Sequence, residues 1–410
     1  MILDLLYAAA VTWILLRAVR QYGRFHPVDT RPHARPRAAV AIILPMRNEK
    51  HNAAPCLDAL ARLDYPPDAL RIIAVDDAST DGTRDILAAH ANARLRLLSL
   101  DRLPPGWTGK SHACWQASQL APPATDFLCF LDADVRASPD LLRDAVAHAQ
   151  AHNIDLLSLS PLQEMGALWE RLILPAGFLL LAATEDLGAV NDPRSPAAAA
   201  NGQFLLIRRD VYQSVGGHQS VRAAVAEDSA LAARIKRAGH RVALLDGRPL
   251  LRVRMYHSLP ELWEGLTKNI PQMLHGIPRA VAAGILATAL ALAAVALPTL
   301  AVIRILHYPT PAHITGLILA GSATLALLGM HIGIARQFRF PSLYAFLFPV
   351  AYLLGAALVF TSVAKHLRGK VSWKGRTYTP ESNAASDGTP TSPAAGEPDS
   401  PSGGGQRGIA

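Results

Sequence analysis

Charge is scarce in this chain. Only 18% of its 410 residues are Asp, Glu, Lys or Arg, while 50% are apolar, a balance too greasy for an ordinary water-soluble domain. Residues 280–303, 305–335 and 340–364 carry no charged side chain at all, and each stretch exceeds the roughly 20 residues that cross a bilayer as a helix. A purely soluble protein is excluded. Cysteine is scarce as well: Cys56, Cys114 and Cys129 are odd in number and form no CxxC pair, which supports neither a disulfide framework nor a zinc site. They read as small buried hydrophobes in a reducing compartment. A basic face for nucleic acid is missing too. The net charge is +8, but residues 17–37 hold six Arg against one Asp, and Lys365, Arg368, Lys370, Lys374 and Arg376 add five more positive charges, so the rest of the chain carries −2. Both basic blocks abut apolar spans, where they orient a membrane protein and meet lipid headgroups rather than phosphodiester backbone. No nucleic-acid partner is expected.

Residues 1–16 are apolar except for Asp4, with no Lys or Arg ahead of them and Arg17, Arg20 and Arg24 directly after. A secretory signal carries its positive charge before the apolar core. The observed order fits an uncleaved anchor over residues 1–20, followed by a basic, Pro-containing linker over 21–37 on the cytoplasmic side. From residue 38 the pattern changes. AVAIILP, RIIAVDD, RLRLLSL and DFLCFLDADV are short apolar runs, and between them lie helix-compatible segments at 51–63, 83–90 and 110–120. Such alternation predicts an α/β domain over residues 38–258, with a mostly parallel sheet covered by helices on both faces. Ligands of such sheets sit beyond the strand carboxyl ends, where this sequence puts its acids.

Residues 164–190, apolar but interrupted by Glu170, Arg171 and Pro175, read either as a helix lying at the membrane surface or as an ordinary core helix. An interfacial helix is expected over 259–279, transmembrane helices over 280–364, a basic juxtamembrane segment over 365–378, and a disordered tail rich in Pro, Ser, Gly and Ala over 379–410. The resulting topology contains a conflict. With the domain in the cytoplasm, three full crossings after Arg279 would export the basic run KHLRGKVSWKGR, against the positive-inside tendency. Pro341 and Pro349 make the last apolar stretch a candidate for a broken or re-entrant element.

Five constellations carry chemistry. Pro45-Met46-Arg47-Asn48-Glu49 closes a strand ahead of a helix, where polar side chains and a helix N-terminus can hold an anion, although a polar loop is the plainer reading. In VDDASTDGT, Asp76 and Asp77 end a strand and can accept hydrogen bonds from a base or ribose, while Asp81 and Thr83 read as helix caps. Asp132 and Asp134, two apart on an extended chain, point to one side and can converge on a hard divalent cation whose other ligands are phosphate oxygens. Glu227 and Asp228 head a helix; such acids are often dipole partners, yet a carboxylate facing a pocket can deprotonate a hydroxyl. Finally, Arg254 suits a pyrophosphate and Tyr256 a sugar or acceptor, while Lys110 in GWTGK brings a cation to a helix start.

Taken in order, PMRNE, VDDASTDGT, GWTGK, LDADV, NDPRSPAAAANG, AEDSALA and RMY resemble the membrane-anchored family 2 glycosyltransferases over about residues 38–275, and within them the hopanoid- and carotenoid-associated bacterial enzymes. A late WKGR-like tail, here Trp373-Lys374-Gly375-Arg376, adds to the likeness. The resemblance implies a GT-A (Rossmann-like) fold and inverting transfer from a nucleotide sugar, expected to be UDP-linked, to a membrane lipid or isoprenoid-type acceptor. It implies that Asp76 and Asp77 contact the nucleotide with Pro45, Arg47, Asn48 and Glu49 nearby, that Asp134 is the principal Mg2+ or Mn2+ ligand with Asp132 assisting or touching the ribose, and that Asp228 is the general base. Lys110 and Arg254 would share the diphosphate charge; Glu227 and Tyr256 would face the acceptor or diphosphate. The implied setting is a bacterial inner membrane, multi-pass, with the catalytic domain cytoplasmic. Processive polysaccharide synthases of the family carry a Gln/Arg-x-x-Arg-Trp motif, whereas here Arg254 is followed by Met255 and Tyr256. That departure favours transfer of one or a few sugars over a short-run polysaccharide synthase. A non-catalytic nucleotide-sugar-binding scaffold is the remaining alternative.

Overall fold

The structure is a computed structural model that describes residues 1–29, 36–184, 186–369, 371–373 and 376–378. Part of the basic linker, the Lys374-Gly375 pair and the 379–410 tail lie outside the described residues. Helix α1 (Ile2–Arg24) precedes an alternating run of β1 (Val40–Met46), α2 (Lys50–Ala61), β2 (Leu70–Asp77), α3 (Thr83–His90), β3 (Leu95–Leu100), α4 (Gly109–Ser118) and β4 (Phe127–Leu131). Next come β5 (Val135–Ala137), α5 (Leu141–Ala151), β6 (Leu156–Ser160), β7 (Leu162–Gln163), α6 (Leu168–Thr184) and α7 (Leu187–Asn191). The domain ends with β8 (Phe204–Arg208), α8 (Arg209–Ser214), α9 (Glu227–Arg237), β9 (Val242–Asp246) and β10 (Leu251–Val253). Helices α10 (Leu259–Thr267), α11 (Ile270–Met273), α12 (Ile277–His307), α13 (Pro311–Gln337) and α14 (Phe348–Leu367) follow.

The apolar runs are strands because both of their faces are covered. Ile42, Leu44, Ile72, Ala74, Cys129 and Leu131 bury against α2 and α5, and the intervening Ala41, Ile43, Ile73, Val75, Leu128 and Phe130 bury against α4 and α9. With side chains alternating along each strand, this two-sided burial leaves no polar position to break the run. Each buried Ile or Leu contributes roughly 1.5–3 kcal/mol. The sheet order is β3-β2-β1-β4-β8-β6-β9. Only β8 runs against its neighbours, β4 and β6, so the strands β1, β2 and β4 end on one edge and their loops meet there. A small sheet of β5, β10 and β7 flanks that edge.

Among the described residues, four helical segments are long and apolar enough to cross a membrane: Ile2–Arg24, Ile277–His307, Pro311–Gln337 and Ser342–Leu367. The first is not a loose anchor. Arg17 donates to the Ala183 carbonyl at 3.2 Å, Arg24 pairs with Asp186 at 3.1 Å, and Tyr7 bonds Thr324 of α13 at 3.0 Å. Helix α6 is a seam rather than a surface helix, since Leu172, Ile173 and Leu174 bury against residues of α10 and α14. The stretch expected as one interfacial helix over 259–279 is instead two short helices, α10 and α11, with Lys268 and Asn269 between them.

The last apolar segment turns back. A 3-10 turn at Ser342–Leu347 runs beside α13, with Tyr344 accepting from Arg171 near the start of α6 at 3.2 Å. Phe348 then packs on His331, inside α13, with ring centroids 5.3 Å apart. From there α14 returns to the first turns of α12, where Gly284 leaves room for Phe360 and Val359. Its final turn is bonded to α10 and α11 through Thr267 and Gln272. Both ends of the segment therefore lie towards the α/β domain. Pro341 and Pro349 account for the break, because each lacks the N–H a continuous helix needs. Lys365 and Arg368 consequently lie towards the α/β domain, as Arg17 and Arg24 do.

Candidate active site

The loops after β1 and β2 are laced together. Asn48 adopts a left-handed φ of 52°, which its short polar side chain tolerates; its N–H donates to Ser79 Oγ at 3.1 Å and its Oδ1 accepts from Thr80 N at 2.9 Å. Arg47 donates to the carbonyls of Asp77 and Ala78 at 2.6 and 2.9 Å, and Glu49 N donates to Thr83 Oγ1 at 2.8 Å. Asp76 is buried and accepts from Ser79 N at 3.2 Å. Asp76 and Asn48 thus hold the loops, whereas Pro45, Arg47, Glu49 and Asp77 line the large cavity beyond the sheet edge.

Strand β4 stops at Leu131, and residues 132–134 form a turn closed by Val135 N–H to the Asp132 carbonyl at 3.3 Å. The extended chain expected for Asp132 and Asp134 is absent. The turn, rather than strand alternation, brings both carboxylates to the cavity wall. Opposite them, Thr108 caps α4 by accepting from Ser111 N, which sets Lys110 in the first turn. Lys110 Nζ lies 2.7 Å from Asp132 Oδ1 and 3.0 Å from Glu227 Oε1. Burial works against its charge, but Asp132, Glu227 and Asp228 outweigh it and hold its pKa well above the ordinary lysine value.

Asp228, in the first turn of α9, reaches across to the backbone N–H of Gly202 at 2.8 Å and also accepts from Ser229 N at 2.7 Å. Burial, reinforced by the neighbouring Glu227 charge, pushes its carboxyl up to about 6. Glu227 shifts the other way: burial opposes its charge, yet Lys110 and Lys268 hold it below the usual carboxylate range. Two adjacent acids are thereby driven apart, one kept ionised and one poised near neutrality, the pattern that separates roles in acid–base sites. Tyr256 lines the same cavity, and its hydroxyl is pushed up by burial and by the charges of Asp134 and Glu261.

Arg254 is a correction. It does not line the cavity; its guanidinium lies over Gly166 and pairs with Glu170 at 3.4 Å. Glu170 is 1% exposed, and a carboxylate so buried requires a cation. Two residues unassigned from sequence belong to the cavity instead. Gly202, quoted in the Ala-rich segment only as part of the resemblance, donates to Asp228. Lys268, a single cation in an apolar stretch, lines the wall.

Gly202 has no room to grow. A Cβ there would stand 3.0 Å from Asp228 Oδ2 and 3.1 Å from Lys110 Nζ, so Gly202→Ala displaces both groups. The expected outcome is a roughly 10- to 100-fold fall in turnover with an unchanged unfolding midpoint, read by steady-state kinetics beside a thermal melt; full activity in the alanine variant would contradict it.

The donor set suits a hard divalent cation. Among the described residues, no three His, Cys, Asp or Glu side chains converge as a metal cage; an ion held by Asp132 and Asp134 would take its other ligands from water or substrate oxygens. That is how Mg2+ sites at phosphate-bearing substrates are built. The Lys110 ammonium against Asp132 marks where this structure already puts positive charge. The cavity measures about 3200 Å³ and continues from these carboxylates to Ile14 of α1, Leu179 of α6, Leu286 of α12 and Leu358 of α14. Small-molecule sites usually occupy roughly 300–1,000 Å³.

Residues 41–182 match the Glycosyl transferase family 2 profile. The chain is 27% identical over 255 residues to the 4,4'-diaponeurosporenoate glycosyltransferase of Staphylococcus aureus (strain N315), a match covering 61% of this chain and 65% of that protein. The counterpart from strain MRSA252 is 28% identical over 238 residues, covering 57% and 60%. The chain thus spans just under two thirds of the length of these relatives. In fold it is similar to mannosyltransferase PcManGT from Pyrobaculum calidifontis in complex with GDP-Man and Mn2+, with a TM-score of 0.52 and 20% identity over 91% of this chain and all of that one. The sheet and its helices are accordingly GT-A-like, with α1 before the domain and three long apolar helices after it. The matched segment runs from β1 into α6 and contains Arg47, Asp77, Lys110, Asp132 and Asp134.

Proposed function

We propose that the protein is an inverting glycosyltransferase that moves a sugar from a nucleotide-sugar donor, UDP-linked, to a hydroxyl of a membrane lipid or isoprenoid-type acceptor such as a hopanoid or carotenoid derivative. One observation supports this reading above the others: a single cavity has carboxylates and lysines at one end and apolar helices at the other. The substrate named for the Staphylococcus aureus relatives, 4,4'-diaponeurosporenoate, is likewise an isoprenoid-type molecule, although its name gives it a carboxylate where this proposal has a hydroxyl.

In this reading Asp77, with Arg47 beside it, receives the nucleotide. Lys110 faces the diphosphate, and Asp134, assisted by Asp132, would hold Mg2+ or Mn2+. Such an ion neutralises charge developing on a departing diphosphate. Asp228 takes the proton of the acceptor hydroxyl as its oxygen attacks the anomeric carbon from the face opposite the leaving group, which inverts the configuration. Gly202 N–H fixes the orientation of that carboxylate. Glu227 and Tyr256 border the acceptor. The catalytic domain belongs on the cytoplasmic face of a bacterial inner membrane, a reading supported by Arg17, Arg24, Lys365 and Arg368 all lying towards it.

The test is to incubate membranes containing the protein with a panel of radiolabelled nucleotide sugars, extract lipid, and determine the mass of whatever acquired label. Label in no lipid fraction from any donor would sink the proposal. A pH profile adds a second check. A base is useful only when deprotonated, so turnover at saturating donor is expected to fall about tenfold per pH unit below the Asp228 value of about 6 and to level off above it. A flat profile from about pH 5 to 8 would remove Asp228 from that role.

A further inference from the structure

Lys268 stands in the break between α10 and α11, and that break is clamped from α14. The buried Thr267 accepts at its carbonyl from Ser362 Oγ at 2.6 Å and at its hydroxyl from Lys365 Nζ at 2.8 Å, while the hydroxyl donates to the Trp263 carbonyl at 2.7 Å. With its neighbour fixed in this way, Lys268 lines the cavity in company with Lys110, Glu227 and Asp228. Burial lowers its pKa, with Glu227 the main opposing influence. A nucleoside diphosphate entering this end would meet the carboxylates of Glu49, Asp77, Asp132, Asp134, Glu227 and Asp228. Lys110 is already shared between two of them, and Arg254 is committed to Glu170. Arg47 lines the wall beside Asp77 and a divalent ion would add charge at Asp134, but two adjacent phosphates facing Glu227 and Asp228 gain from a further cation on that side.

We propose that Lys268 is a diphosphate-binding residue of the donor site, carried there by α14, and that it fills the place the sequence suggested for Arg254. The proposal rests on the donor being a nucleoside diphosphate sugar. An ion pair with Glu227 made only for stability would also bury Lys268, but it would not distinguish a diphosphate from a monophosphate.

The experiment uses the full-length protein in detergent with Mn2+ and measures calorimetric affinities for UDP, GDP, UMP and GMP. Lys268→Gln is expected to weaken the better-bound diphosphate roughly 10- to 100-fold, the loss of one charge-assisted hydrogen bond, and to leave the matching monophosphate within about threefold of the parent. Lys268→Arg should recover most of the diphosphate affinity. Unchanged diphosphate binding in the glutamine variant, or equal loss of mono- and diphosphate, overturns the assignment. A parent protein that binds neither diphosphate sinks the glycosyltransferase reading, and the assignment with it. A second measurement needs no variant: saturating diphosphate should protect Lys268 from acetylation by an amine-reactive ester, read by peptide mass spectrometry, and the monophosphate should not. Equal labelling with and without diphosphate likewise overturns it.

Discussion

Replacing Asp228 by Asn should lower turnover roughly 10²- to 10⁴-fold, the range general-base catalysis covers, while nucleoside diphosphate affinity stays close to that of the parent. The amide has the size of the carboxyl and its oxygen can still accept from Gly202 N–H, with only the bond from Ser229 N lost, so the cavity wall persists. What disappears is the capacity to take a proton. The separation of kcat from binding is the informative part, because a variant that lost both would have lost the site rather than the base. Purified Asp228→Asn enzyme transferring sugar at the parent rate would end the assignment.

The second large effect is expected at Asp134. Asp134→Ala removes one of the two carboxylates on the turn after β4, and turnover should fall on the order of 10³-fold or more if a divalent ion supplies several kcal/mol to the departing diphosphate. Direct Mn2+ binding, measured by calorimetry with UDP or GDP present, should weaken in step. Asp132→Ala is a less clean probe, because Asp132 also holds Lys110 at 2.7 Å. Activity and Mn2+ affinity surviving in Asp134→Ala would remove Asp134 from the metal site.

Much of the sheet was legible because burial on two faces writes an unbroken apolar run into β1, β2 and β4. The direction of a strand leaves no such mark, and Phe204–Arg208 reads the same whether it runs with or against its neighbours. The return of α14 was half visible. Hydropathy counts residues without regard to heading, and only Pro341, Pro349 and the basic run behind them hinted at a reversal. Within the candidate site, adjacent strand residues face opposite ways, so Asp76 and Asp77 could not be told apart from sequence: one stabilises a turn and the other meets the cavity. Arg254 looked suited to a diphosphate until Glu170, 84 positions away, proved to occupy it. Lys268 gave no motif at all; its setting depends on α14 meeting Thr267.

The bonds between α1 and the α6–α7 junction bear on how the protein can be handled. Trp13, Ile14, Arg17 and Gln21 form part of the chamber wall, and Gln21 accepts from Leu187 N at 2.9 Å. A truncated version trimmed to the water-facing half for convenient purification would open that chamber to bulk solvent and free the segment leading to Gly202. Loss of function in such a fragment would report a missing wall, not a missing catalyst.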